Sequence, residues 1–229
     1  MTVRAVVFDL DGTLVEFKLD YKTLRADVIN LLASRGLPRS LFSLSESVFN
    51  MLRKAEVSMR NNGRSEDEIG EIRDAILSMA DRYELEAARR TNMISGVIPT
   101  LKALRGMSLK MGLFTVNGVK ATEYILQRFR LKGFFDVIVP RNLVPSMKPD
   151  PAHLREVLEK LGVKPEEVLV VGDSEGDMAC ARELGAAAVG IRNERNPPEK
   201  LRSAGATYIV SSLTEIVPLI EKLTRTKRG

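Results

Sequence analysis

The sequence predicts an α/β fold, a doubly wound, Rossmann-like parallel sheet with an all-helical segment inserted after its first strand. Three observations predict it. Short apolar runs recur near residues 3–8, 109–115, 136–139, 168–172, 187–191 and 207–210, and from residue 97 onward helical patterns separate most of them. Several runs end in Asp, Thr, Asn or Gly, as expected where ligands bind beyond the carboxyl ends of parallel strands. Between residues 16 and 90 strand signals vanish and apolar residues recur at helical spacing.

The first run, Val6-Val7-Phe8-Asp9-Leu10-Asp11-Gly12-Thr13-Leu14, closes on two carboxylates and a Gly-Thr turn. An apolar run without alternation marks a strand buried on both faces. Asp9 and Asp11, at i and i+2, point the same way if the extended conformation persists, and Gly12 lets the backbone turn sharply. Two neighbouring acids can divide labour between a nucleophile or metal ligand that stays ionised and a group that carries a proton. Their repulsion calls for a cation, and magnesium, a hard ion that joins carboxylates to phosphate, fits. Asp-x-Asp-Gly by itself reads equally well as an acidic turn after a strand.

The inserted segment shows three helical faces: Leu24, Val28, Leu31 and Leu32; Val48, Met51, Leu52 and Ala55; and Ile69, Ile72, Ile76 and Met79. Gly36-Leu37-Pro38 and Asn61-Asn62-Gly63 punctuate them as loops. Met51, Met59 and Met79 read as bundle packing, because methionine fills irregular cores. Arg53, Lys54, Arg60 and Arg64 read as a solvated basic face more readily than as an anion site.

The second run leads into Thr115-Val116-Asn117-Gly118. Thr115 is suited to bond a phosphoryl oxygen beside backbone N–H groups at the next helix's start, and as well suited to cap that helix. Further on, two prolines bracket an aspartate in Lys148-Pro149-Asp150-Pro151 and hold a stiff loop, with Pro151 opening a helix behind Asp150. Lys148 is then a positioned cation, although a lone loop lysine is ordinarily a solvated surface charge. His153, in that helix's first turn, reads as a surface or capping residue. The fourth run, Val168-Leu169-Val170-Val171, meets Gly172-Asp173 and, four residues later, Asp177. A helix starting near Ser174 lets both carboxylates approach one site, one as a ligand and one through water or a neighbouring group; singly they read as a helix cap and a first-turn acid.

Asp9-Leu10-Asp11-Gly12-Thr13, Thr115, Lys148 and Gly172-Asp173-x-x-x-Asp177, in this order, resemble the motifs of the haloacid dehalogenase superfamily in its phosphatase branch, phosphoglycolate phosphatases above all. The resemblance spans nearly the whole chain. It implies that Asp9 attacks phosphorus to form an aspartyl-phosphate, and that Asp11 protonates the leaving oxygen and then activates water. It implies that Lys148 and Thr115 hold the phosphoryl group, with Val116 and Asn117 beside them. It also implies Mg2+ on Asp9, the backbone carbonyl of Asp11, and Asp173, with Asp177 in support. Such chemistry depends on alignment and on charge stabilisation at the equatorial oxygens. The second aspartate disfavours dehalogenation, which needs no proton donor. In many relatives asparagine or a small residue directly follows the motif Thr or Ser; here Val116 intervenes before Asn117.

The helical insertion resembles the family's cap, giving a catalytic core of residues 1–15 and 97–229 and a cap of 16–96, with hinges near Glu16–Leu19 and Thr91–Gly96. Phe17, Lys18 and Tyr21, just downstream of the first motif, are the candidates for substrate specificity. The expected substrate is a small phosphorylated metabolite, phosphoglycolate-like or a sugar phosphate. The alternatives are a phosphosugar mutase of the same superfamily and a catalytically idle protein that binds a phosphorylated ligand.

Composition narrows the classes. One histidine and one cysteine exclude Cys-rich zinc sites, those with two histidines and an internal disulfide, and leave Cys180 as a buried small residue. Neither a P-loop nor Gly-x-Gly-x-x-Gly occurs. With 44% apolar residues in 229, a sizeable core is expected. No stretch approaches a membrane span, and Met1 runs straight into the first strand, so the expectation is a cytoplasmic protein, monomer or homodimer. The net charge of +5 does not point to nucleic acid: residues 16–90 carry 13 basic and 13 acidic side chains, and Lys222, Arg225, Lys227 and Arg228 form a tail without interleaved aromatics.

Overall fold

The computed structural model describes residues 2–16 and 18–225, with the backbone alone at Arg225. Phe17, Lys227 and Arg228 lie outside the described residues. Six strands, β1 (Ala5–Phe8), β2 (Lys110–Thr115), β3 (Val137–Pro140), β4 (Val168–Gly172), β5 (Ala187–Ile191) and β6 (Tyr208–Val210), form a parallel sheet in the order β3-β2-β1-β4-β5-β6. The helices are α1 (Tyr21–Ser34), α2 (Val48–Asn61), α3 (Glu66–Arg90), α4 (Val97–Gly106), α5 (Val119–Arg128), α6 (Ala152–Leu161), α7 (Glu175–Leu184), α8 (Pro198–Ala204) and α9 (Ile216–Arg225).

The first apolar run is a central strand because every residue of it is excluded from water. On one face Ala5, Val7, Val168 and Val170 meet Leu154, Val157 and Leu158 of α6 and Met178 of α7. On the other, by the period-two alternation of a strand, Val6, Phe8, Leu169 and Val171 are equally buried. Phe8 pairs in register with Leu113 of β2 and Val171 of β4, beyond which β2 runs two residues further and β4 one. The ladder continues one step beyond, where the Asp9 N–H donates to the Val171 carbonyl at 2.9 Å. Asp9, Thr115 and Asp173 are thereby brought to one rim. The strand order reverses at β1, the position at which open α/β sheets form their ligand crevice.

The chain divides into two compact units, Met1–Phe17 with Thr91–Gly229, and Lys18–Arg90. The second is helical. Asp20 and Ser47 cap α1 and α2, each accepting an N–H three residues on, and Ser65 and Glu68 form a reciprocal box at the start of α3. Its core gathers Leu24, Val28, Leu32, Met51, Ala55, Ile69 and Ile76. Met51 and Met59 are buried in it and Met79 is partly buried beside it, which is bundle packing. Arg60 and Arg64 stand at the surface, paired with Glu66 and Glu68. Among the described residues no helix is long and apolar enough to cross a membrane.

Candidate active site

The site lies within the α/β unit, where the loops after β1, β2 and β4 and the segment before α6 converge. Gly12 decides the first contact. Its φ of +84° is the left-handed conformation that glycine adopts without penalty, and a Cβ there would stand 2.3 Å from Asp173 Oδ2. Only glycine lets the Asp173 carboxylate lie against this loop.

Lys148 is the hub. Its Nζ donates to Asp9 Oδ1 at 2.5 Å, Asp177 Oδ1 at 2.6 Å and the Phe114 carbonyl at 3.3 Å, and lies 4.0 Å from the Phe114 ring centroid. The side chain is 5% exposed, against 8% for Asp9 and none for Asp177. Burial alone would push the ammonium's pKa down, but Asp177 and Asp9 outweigh it and hold Lys148 charged. The Asp9 carboxyl is pushed well above its ordinary range, first by burial and then by Asp177, Asp173 and Asp11, against the pull of Lys148. Asp173 is raised to about 6, chiefly by burial and next by Asp177, while a hydrogen bond from Asn193 Nδ2 to its Oδ2 at 2.7 Å opposes the shift.

These acids leave room for a positive charge beyond the lysine. Asp9, Asp173 and Asp177 offer carboxylate oxygens within 4.8 Å of one another, an all-oxygen donor set suited to a hard divalent cation such as magnesium. Asp177 has both oxygens engaged: Oδ1 takes Lys148, and Oδ2 takes the Ser174 N–H at 3.0 Å and the Ser174 hydroxyl at 2.7 Å. It anchors the lysine, and Asp9 and Asp173 are the more open pair. Gly172 allows this packing, since a Cβ there would meet Asp177 Cγ at 2.4 Å.

Asn117 Nδ2 donates to Asp11 Oδ2 at 2.5 Å, orienting the second acid of the first motif. Thr115 is fully buried, and its Oγ1 accepts the Asn117 N–H at 3.1 Å. This is a hydroxyl-stabilised turn and not a helix cap; the cap residue of α5 is Gly118, and Asn142 Oδ1 accepts the Val119 N–H. The Val116 carbonyl accepts from Arg141 Nη1 at 2.8 Å, and the Arg141 N–H donates to the Asn117 carbonyl at 3.0 Å. Val116 thus spaces a turn that is tied to β3. Lys18 is exposed and Tyr21, the first residue of α1, is partly buried with the Arg25 guanidinium over its ring; both belong to the helical unit.

One expectation is corrected. His153 is neither a surface nor a capping residue: it is fully buried on the inner face of α6, four residues before Val157. The i, i+4 spacing from Val157 was the available signal. Four further residues, Asn193, Ser174, Arg141 and Phe114, support the site without a place in the motif reading. Ser174-x-x-Asp177 was legible as a capping box, whereas Asn193, distant in sequence, carried no local mark. Cys180 is buried and donates to the Asp150 carbonyl at 3.3 Å, its thiol pushed up to about 12 chiefly by burial, so it is no nucleophile.

A carboxylate at a central strand end, a buried lysine bonded to it and an adjoining oxygen-donor cluster define a hydrolase site suited to a phosphoryl group. A family model for haloacid dehalogenase-like hydrolases matches residues 6–191, and the chain belongs to that family. It is 29% identical over 225 residues to phosphoglycolate phosphatase 1 of Pseudomonas aeruginosa, covering 96% of this chain and 80% of that protein. It is 27% identical over 223 residues to the phosphoglycolate phosphatase of Nitrosospira multiformis, covering 97% of each. The crystal structure of a hydrolase from Pseudomonas syringae shares the fold with a TM-score of 0.69 at 23% identity, over 96% of this chain and 98% of that one. The protein is a phosphoric monoester hydrolase of this family.

Proposed function

We propose that the protein is a magnesium-dependent phosphatase that hydrolyses a small phosphorylated metabolite, phosphoglycolate or a sugar phosphate, through an aspartyl-phosphate on Asp9. The observation that carries this reading is the contact of Lys148 Nζ with Asp9 Oδ1 at the end of β1, with Asp11 held by Asn117 two residues away. In the first step an Asp9 carboxylate oxygen attacks phosphorus, the bond from phosphorus to the substrate oxygen breaks, and Asp11 gives that oxygen its proton. In the second step water attacks phosphorus, Asp11 takes the water's proton, and inorganic phosphate leaves with Asp9 restored. Lys148 offsets charge on the equatorial oxygens, and Thr115 and the Val116–Asn117 turn bind the phosphoryl group. Asp9, Asp173 and the Asp11 carbonyl would hold magnesium, with Asp177 in support; the ion would supply charge stabilisation at the phosphoryl oxygens.

In the same reading, residues 16–96 form a cap on a core of 1–15 and 97–229, moving on hinges near Glu16–Leu19 and Thr91–Gly96, with Lys18 and Tyr21 selecting substrate. A Thr91 Oγ1 bond to the Glu16 carbonyl and the Glu16 N–H bond to the Asn92 carbonyl support the hinge assignment, because they tie the two crossing chains together. The test is phosphate release from an aryl phosphate with and without magnesium, wild type beside Asp9→Asn. Magnesium-dependent release that the substitution lowers by on the order of 10⁴-fold or more is expected. Release unaffected by the substitution would remove Asp9 as nucleophile, and phosphoryl return to a sugar without phosphate release would identify a mutase.

A further inference from the structure

His153 is the chain's only histidine, and the proposed reaction gives it no chemical step. It is nevertheless fully buried directly behind the lysine. Its Nε2 lies 2.9 Å from the Val139 carbonyl, which can only accept, so Nε2 carries the proton. Its Nδ1 lies 3.4 Å from the Lys148 backbone nitrogen, which can only donate, so Nδ1 is the acceptor. The two partners together select the neutral Nε2–H tautomer. The ring also meets Phe114 edge to face, with centroids 5.5 Å apart and planes at 69°, and Phe114 is the ring beneath Lys148 Nζ. One imidazole therefore touches β3 through Val139, β2 through Phe114, and the backbone of the lysine itself.

We propose that His153 is a positioning residue that fixes the height of Lys148 over the ends of β2 and β3, acting as a neutral imidazole that accepts the Lys148 N–H and donates to Val139. The side-chain end of Lys148 is held by Asp9 and Asp177, and both would be drawn on when substrate charge enters. The backbone end must then be secured independently, and His153 secures it. Displacement of a reacting group by about 1 Å costs on the order of 10²-fold in rate. Loss of the imidazole should therefore appear in turnover more than in binding.

The inference rests on the phosphatase reading for its kinetic part, and its structural part is tested without turnover. Nitrogen NMR on the full chain at neutral pH should show His153 as a neutral Nε2–H imidazole, and hydrogen exchange should show a protected Lys148 amide. His153→Phe keeps a ring against Phe114 and loses both hydrogen bonds; His153→Asn keeps an acceptor near the Nδ1 position. With an aryl phosphate and magnesium, the Phe variant should lose about 10- to 100-fold in kcat with KM changed less than about threefold, and the Asn variant should recover most of that loss. Protection of the Lys148 amide should follow the same order. An imidazolium or an Nδ1–H tautomer at neutral pH would overturn the assignment even if no variant folds. Equal kcat losses in both variants with the amide still protected would reduce His153 to packing, and unaltered kcat in the Phe variant would also sink it. An inactive wild type would count against the phosphatase reading alone, leaving the NMR and exchange results to decide the role of His153.

Discussion

The two compact units use the same pairing of cation and carboxylate to opposite ends. In the helical unit Arg60–Glu66 and Arg64–Glu68 face water, with every partner nearly half exposed or more. In the α/β unit Lys148, Asp9 and Asp177 form a pair of contacts almost wholly withdrawn from solvent. An exposed pair is screened and worth little, while a buried one carries desolvation that only close geometry offsets. Burial of this order is hard to justify as a fold stabiliser, because well-packed apolar residues would serve as well. It makes sense where a fixed charge must meet an incoming phosphoryl group without reorganisation.

Breaking the buried triad should have the largest effect. Lys148→Met leaves two carboxylates without their cation, and is expected to lower kcat by about 10²–10³-fold and stability by about 3–5 kcal/mol, read from aryl phosphate turnover and urea unfolding. Ile76→Ala, in the core of the helical unit, tests whether an equally buried apolar site behaves differently. A stability loss of about 3 kcal/mol is expected, with no change in the pH profile of turnover.

His153 sharpens the comparison through pH. Burial, the largest influence, lowers its pKa to about 4 from an ordinary 6.5, with the Lys148 charge adding to the effect and the Val139 hydrogen bond opposing it. The folded state resists a proton that the unfolded chain accepts, so the contribution is fully present above pH 6.5 and is lost as pH falls towards 4. Its size is roughly 3 kcal/mol. Urea midpoints at pH 7 and pH 4.5 should therefore fall further for wild type than for His153→Asn; parallel falls would contradict the buried neutral imidazole. At the small end, Arg60→Ala should leave the urea midpoint within experimental error, as an exposed pair predicts. A clear drop there would erase the contrast between the units.

Much of this was legible residue by residue. The runs ending at Phe8, Thr115 and Gly172 became strands within about two residues of their expected limits, because they are short apolar runs that stop at glycine turns or polar residues, the pattern of parallel strands buried on both faces. The helical faces around Val28, Met51 and Ile76 packed as their spacing requires. The residues that hold the site together were less visible. Asn193 reaches Asp173 from 20 residues away, and Arg141 reaches Val116 from 25. His153 looked like a surface residue because its polarity outweighed its position on an apolar helix face.

What the sequence determined by itself was the set of local patterns: which segments are strands or helices, and which chemically able side chains stand at their ends. Periodicity and turn chemistry are properties of neighbours in the chain, so they can be read there. Only the tertiary structure decided that Lys148 would meet Asp9 across 139 residues, that Asp177 would hold the lysine with one oxygen from 29 residues away, and that a neutral histidine would stand behind them. Such contacts depend on strand order, on register and on the exclusion of water, and these exist only once distant segments have packed.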